Sequence, residues 1–302
     1  MLSKETISTM KDYYKANLKD STPPGAHFAA KSTTFSIAAY HSGKVLFQGK
    51  EAEKEAAKWG TEKNIVSTKK NVPKSSSTLP TGITTMSLIG TDEVGTGDYF
   101  GPITVVAAFV RQDQLELLKE YGVKDSKHLT DPIIIEIAKK LIKTIPYSLL
   151  TLPNEKYNER QAKGWTQGKI KAVLHNQAIL HLLNKIQPVQ PEGILIDQFA
   201  ERAIYYKHIK DQPSIVRENV LFSTKAESIH LSVAAASIIA RYAFLLAMDQ
   251  LSEEAGITLS KGAGAKVDLA AAKLIKKHGV DKLGHFVKLH FANTGKAKKL
   301  SL

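Results

Sequence analysis

Cysteine is absent from all 302 residues. Its absence removes disulfides, thiolate nucleophiles and every cysteine-ligated zinc or iron–sulfur site, so a bound metal must sit on oxygen or imidazole. A chain this long buries enough apolar surface to fold without such staples. A cysteine-free chain suits a reducing compartment, and a cytoplasmic protein is expected. The first residues, MLSKETISTMKDYYKANL, scatter charges and carry no apolar core of a leader, and no stretch approaches a spanning length of apolar residues, so no membrane partner is expected. Signature loops of several enzyme classes are also missing. There is no phosphate loop ending in Gly-Lys-Ser/Thr and no Gly-x-Ser-x-Gly elbow. His285 and His290 are five apart without an acid placed for a zinc helix, and His175 and His181 are six apart on one predicted helix, facing different sides. Kinase, nucleotide-hydrolase and serine-hydrolase chemistries are set aside on these grounds.

Acidic residues are scarce at both ends. Residues 1–84 hold 13 Lys+Arg against 7 Asp+Glu, residues 261–302 hold 10 against 2, and the middle holds 19 against 20, within a formal net charge of +13. Two basic flanks around a neutral middle suit a polyanionic partner held at the edges of an acidic reaction centre, although a lysine-rich solvated surface would look the same in composition.

Ser3 is placed to cap a helix carrying Ile7, Met10, Tyr13, Tyr14 and Leu18. Two extended runs, 35–40 and 44–48, flank His41-Ser42-Gly43 as a hairpin, and 51–59 reads as a helix. Residues 1–60 thus form a small α+β domain. Residues 61–85, rich in Ser, Thr, Lys and Pro, read as a flexible linker, and residues 86–302 as a second, α/β domain. In that domain the apolar runs SLIGTD, ITVVAAFV, YSLLTL, EGILID and VLFST alternate with helical patterns near 114–121, after Thr130, within 167–187 and from about 228 to 253. Strands separated by helices imply a mixed, largely buried sheet.

Chemistry is concentrated in carboxylates. Asp92 and Glu93 end the apolar run Leu88-Ile89-Gly90-Thr91 and precede Gly95-Thr96-Gly97. Two adjacent acids at the end of a buried strand repel each other and lose hydration unless a cation offsets both costs. Neighbouring strand residues face opposite ways, so the pair shares a site only if the strand bends or bulges. A dinucleotide loop is excluded because the third glycine would fall on Phe100 and the acids would repel a pyrophosphate. Asp197 follows the apolar run 194–196 at a second strand end, where ligands of α/β sheets bind or a helix cap sits. Glu227 precedes a helix with alanines at 234–236, where the helix dipole alone would favour it. Glu201 is a reserve candidate.

Together, Asp92-Glu93-Val94-Gly95-Thr96-Gly97, Gly101-Pro102, Asp125-Ser126-Lys127, Asp197 and Lys225-Ala226-Glu227 with AAASIIAR resemble the type 2 ribonuclease H family across about residues 87–290. Thr96 between the glycines, Gln198-Phe199 after Asp197, a glutamate at 227 and the GKIKAVLHN stretch are similar to its HIII branch rather than HII. The resemblance implies a ribonuclease H-like mixed sheet and a TATA-binding-protein-like N-terminal domain that helps bind substrate. It implies Asp92, Glu93, Asp197 and Glu227 as catalytic and metal-binding residues, holding Mg²⁺ or Mn²⁺, two ions in all. It further implies endonucleolytic cutting of the RNA strand of an RNA/DNA hybrid, leaving 5′-phosphate and 3′-hydroxyl ends, by an enzyme expected to be monomeric. Gly95, Thr96 and Gly97 would approach the 2′-hydroxyl, and Ser126 and Lys127 the phosphates. HII-like incision at single ribonucleotides and noncatalytic nucleic-acid binding stand as the alternatives.

Overall fold

The computed structural model describes residues 2–23, 25–59, 79–124 and 126–302, in two compact units, 1–76 and 77–302. In the first unit, helix α1 (Lys4–Tyr13) begins where the Ser3 hydroxyl accepts a hydrogen bond from the Thr6 amide. Leu18 lies beyond this helix, in a bridge to Ala30, so it does not belong to the helical stripe expected of it. Strands β1 (Ala26–Lys31), β2 (Phe35–Tyr40) and β3 (Val45–Gly49) form an antiparallel sheet in that order, followed by helix α2 (Ala52–Ala57). Ile7, Met10, Tyr14, Phe28, Ala30, Ile37 and Ala39 make its core. β1 escapes the sequence reading because Ala-His-Phe-Ala-Ala-Lys lacks β-branched residues; pairing with β2 makes it a strand.

The second unit is built on a mixed five-stranded sheet ordered β6 (Tyr147–Leu152), β5 (Ile103–Val110), β4 (Leu88–Val94), β7 (Gly193–Asp197), β8 (Val220–Ser223). β4 pairs antiparallel with β5 and parallel with β7. Its helices are α3 (Leu115–Glu120), α4 (Asp131–Thr144), α5 (Asn154–Ala162), α6 (Gln167–Lys185), α7 (Arg202–His208), α8 (Leu231–Ala255), α9 (Ala265–His278), α10 (Leu283–Phe286) and α11 (Ala292–Leu300). Thr130 stands at the start of α4 without a side-chain capping bond, and Pro132 in the first turn sets the backbone instead.

The sheet separates two cores. On one face Ile89, Val105, Ala107, Ile194 and Ile196 pack against Ile170, Val173, Ile179 and Leu182 of α6. On the other, Val106, Ala108 and Val110 pack against Ala234, Ala235, Ile238 and Ile239 of α8, with Ile134, Ile137 and Leu141 of α4 behind. Alanines bring α8 very near the sheet, and Gly90 is the strand's half of that fit: a Cβ there would lie 2.2 Å from the Val233 nitrogen. By length and composition α8 is apolar enough to cross a membrane, contrary to the expectation that no stretch is; here it is a core helix, mostly buried. Residues 61–78 of the expected linker lie outside the described residues; in 79–85, which are otherwise largely exposed, Ile83 is buried with Leu88, Leu195, Ala226 and Val233.

Candidate active site

Alternation along β4 decides where its acids point. Leu88 and Gly90 meet α8, Ile89 and Thr91 meet α6, so Asp92 turns to the α8 face and Glu93 to the α6 face. The register from Leu88↔Val110 to Val94↔Thr104 is unbroken. Of the bend or bulge expected for a shared site, this register excludes the bulge; the two carboxylates emerge on either side of the strand end, and Asp92 feels the charge of Glu93. In the parallel ladder Thr91 lies beside Ile196, so Asp92 and Asp197 are the next residues of adjacent strands. Asp197 accepts a hydrogen bond from the Ala226 amide (2.9 Å). That amide belongs to a single turn of 3₁₀-helix, Ala226–Ser228, entered through Lys225 in the left-handed region (φ 57°). This turn occupies the start expected for the long helix, which begins only at Leu231, capped by His230. It holds Glu227 buried beside Asp197. Glu201 stands exposed at the entry to α7.

Electrostatics divide the four acids. Burial first, then the charges of Glu93 and Asp197, push the Asp92 carboxyl up to about 8, against hydrogen bonds from Ser237 and the Glu93 amide. Burial also raises Asp197, aided by Glu227 and Glu93. Glu93 experiences a large burial penalty as well, yet His175 and Lys171 outweigh it and hold the carboxyl down at about 2. One oxygen of Glu227 accepts from the Lys127 ammonium at 2.6 Å, while Oε2 is buried without a hydrogen-bond partner. An orphaned carboxylate oxygen beside two acids of raised pKa is a set of hard donors short of a cation. Among the described residues no three such side chains close into a ready cage.

Around the acids the turn after β4 is shaped by contact. Gly95 has φ 96°, and a Cβ there would lie 2.1 Å from the Pro102 carbonyl oxygen, so no other residue fits. A Cβ on Gly97 would meet nothing within 4 Å. The Thr96 carbonyl accepts from Gln167 (2.9 Å), and the buried Lys288 ammonium donates to the carbonyls of Asp98 and Gly101. Ser126 is buried, its hydroxyl 2.8 Å from that of Ser237, and its carbonyl accepts from Arg241 (2.7 Å), which also grips Asp131. Lys127 projects beside them, and Asp125 lies outside the described residues. Sequence reading missed Lys171, His175, Ser237, Arg241 and Lys288. The first two had a signal: they are four apart on α6 and so share a face, but His175 was weighed only against His181.

A family model described as Ribonuclease HII matches residues 89–294, and one described as a domain of unknown function (DUF3378) matches residues 1–72. Ribonuclease HIII of Bacillus velezensis is 61% identical over 302 residues, 99% of this chain and 96% of its own length. That of Bacillus subtilis (strain 168) is 60% identical over 304 residues, again 99% and 96%. Among solved structures, Bst-RNase HIII in complex with Mn²⁺ superposes with a TM-score of 0.73 at 45% identity, covering 100% of this chain and 97% of that one. Ribonuclease H2 from Pyrococcus horikoshii OT3, at TM-score 0.59 and 24% identity over 72% of this chain and 97% of its own, shares the fold. Full-length similarity of this degree, on a sheet that ends in the same acids the motifs single out, places the chain in the ribonuclease HIII family.

Proposed function

We infer that the chain is a metal-dependent endoribonuclease hydrolysing the RNA strand of RNA/DNA hybrids, and we propose that Asp92, Glu93, Asp197 and Glu227 carry the reaction. The observation that supports this most is Asp197, set in the strand next to Asp92 and beside the buried Glu227, one oxygen of which is unpartnered. Asp92, Asp197 and Glu227 would hold two Mg²⁺ or Mn²⁺ ions, and Glu93 would complete the set from the α6 side. When bound, such ions acidify the attacking water and neutralise the charge on the departing 3′ oxygen. The protein's share is positioning. The open space at Gly97 admits a ribose close enough for backbone groups to sense its 2′-hydroxyl. Lys127, whose ammonium pairs with Glu227 at the edge of the acids, would be placed to contact a substrate phosphate. Ser126, anchored through Ser237 and Arg241, fixes the loop that carries Lys127. The products would be 5′-phosphate and 3′-hydroxyl ends.

Thr96 rather than arginine in the turn favours hybrids over isolated ribonucleotides in DNA. A cytoplasmic location and a monomeric state are part of the same proposal; the first is supported by the cysteine-free composition, and light scattering tests the second. The assignment of the fourth acid is tested by paired variants. Glu227→Gln should lose metal-dependent cutting by roughly 10²-fold or more, whereas Glu201→Gln should cut normally. Loss confined to Glu201→Gln would overturn the assignment.

A further inference from the structure

Glu93 differs from the other acids in how it is held. α6 presents Lys171 and His175 one turn apart, both toward the end of β4. The Lys171 ammonium donates to Glu93 Oε1 at 2.8 Å, and His175 Nε2 donates to Oε2 at 2.9 Å. His175 is wholly buried, and its Nδ1 shares a 2.9 Å hydrogen bond with the Thr91 hydroxyl, two residues before Glu93 on the same strand. Phe199 closes the group from β7's side: its ring centre is 5.0 Å from that of His175 and 4.1 Å from the Lys171 ammonium. Both oxygens of one carboxylate are thus gripped by a single helix, and each keeps a further lone pair for an incoming group. Asp92 is held differently, by the Glu93 amide and the Ser237 hydroxyl, and Asp197 by the Ala226 amide, with no cation among the described residues on either in the way Lys171 meets Glu93.

We propose that His175 is a positioning residue for Glu93, locked by Thr91 and packed by Phe199, and that with Lys171 it fixes the orientation in which the carboxylate meets metal and substrate. The proposal rests on the reading of Glu93 as a catalytic carboxylate. A glutamate at a strand end has three side-chain torsions to order, and a clamp on both oxygens orders them before any ligand arrives. Partners of ligating groups typically change metal affinity or turnover by 10–100-fold, so the effect should appear in those quantities rather than in substrate binding.

The test compares His175→Leu, His175→Gln and Thr91→Val with Glu93→Gln. Turnover and KM are measured on an RNA/DNA hybrid at saturating Mg²⁺, and Mn²⁺ binding is measured by calorimetry on the substrate-free protein. In His175→Leu, kcat should fall by roughly 10–100-fold and Mn²⁺ should bind more weakly by a similar factor. KM for the hybrid should stay within about twofold. His175→Gln, which restores an N–H donor, should recover most of the loss. Thr91→Val keeps the shape of the core and should fall in the same direction by less; it decides alone if the leucine variant does not fold. A folded His175→Leu or Thr91→Val with wild-type kcat and Mn²⁺ affinity would overturn the proposal. Glu93→Gln separates the two levels: if inactive, such a failure belongs to the clamp, and if fully active, the reading of Glu93 itself falls.

Discussion

Asp92 is buried as a carboxyl beside two other acids, and that placement has a cost. Its carboxyl titrates near 8 in the folded, metal-free protein against 3.8 ordinarily, so between those values the native state keeps a proton that the unfolded chain releases. Stability must therefore fall as pH rises through that window, by up to about 1.4 kcal/mol per pH unit. Asp92→Asn removes the group, so in chelator the variant should gain on the wild type from pH 5 to pH 8 in urea denaturation while losing all metal-dependent cutting; parallel stability curves would contradict this. Because a ligating carboxylate must be ionised, Mg²⁺ affinity of the wild type should also weaken as pH drops below about 8, the value to which burial raises Asp92. The acids themselves were legible in the sequence, being charges in places where burial is expensive. Their partners were not, because serine, arginine and histidine inside helices look like ordinary filling until the tertiary contacts appear.

Glycines show best what an element contributes. Gly90 lets β4 touch the backbone of α8, and Gly90→Ala should push the helix off the strand that carries Asp92, costing about 3 kcal/mol or more and lowering the melting temperature. Gly95 and Gly97 should part company. With the Pro102 oxygen 2.1 Å from its new Cβ and a left-handed φ, Gly95→Ala should destabilise the turn and fall in melting temperature and activity together. Gly97→Ala has free space, so it should melt like the wild type yet show a raised KM for the hybrid as the methyl occupies the ribose approach; an unchanged KM would remove Gly97 from the substrate path. Of the elements, β4 to β8, α4, α6 and α8 were readable because their apolar runs are long or sharply bounded. β1, α5 and the helices after Gly256 were not: an alanine-rich strand takes its structure from β2, and α9 and α10 from the cluster around Phe244, Leu274 and Leu283.

At the scale of the whole molecule, two basic flanks border a neutral middle that carries the four acids. If the surplus lysines in residues 1–84 and 261–302 hold the hybrid's backbone, its binding is salt-sensitive. Raising monovalent salt from roughly 50 to 200 mM should increase KM by more than tenfold with little change in kcat, and a chain lacking residues 1–76 should show a higher KM and a shallower salt slope at similar kcat. The central claim is metal-dependent cutting of RNA in a hybrid, and it is tested most directly with matched, end-labelled duplexes: a uniform RNA/DNA hybrid and a DNA duplex carrying one ribonucleotide, each with Mg²⁺, Mn²⁺ or chelator, against wild type and Asp92→Asn. The account predicts cutting of the hybrid's RNA strand with either metal, none with chelator or with the variant, and little at the single ribonucleotide. Efficient incision at the single ribonucleotide, or binding without metal-dependent cutting, would contradict it.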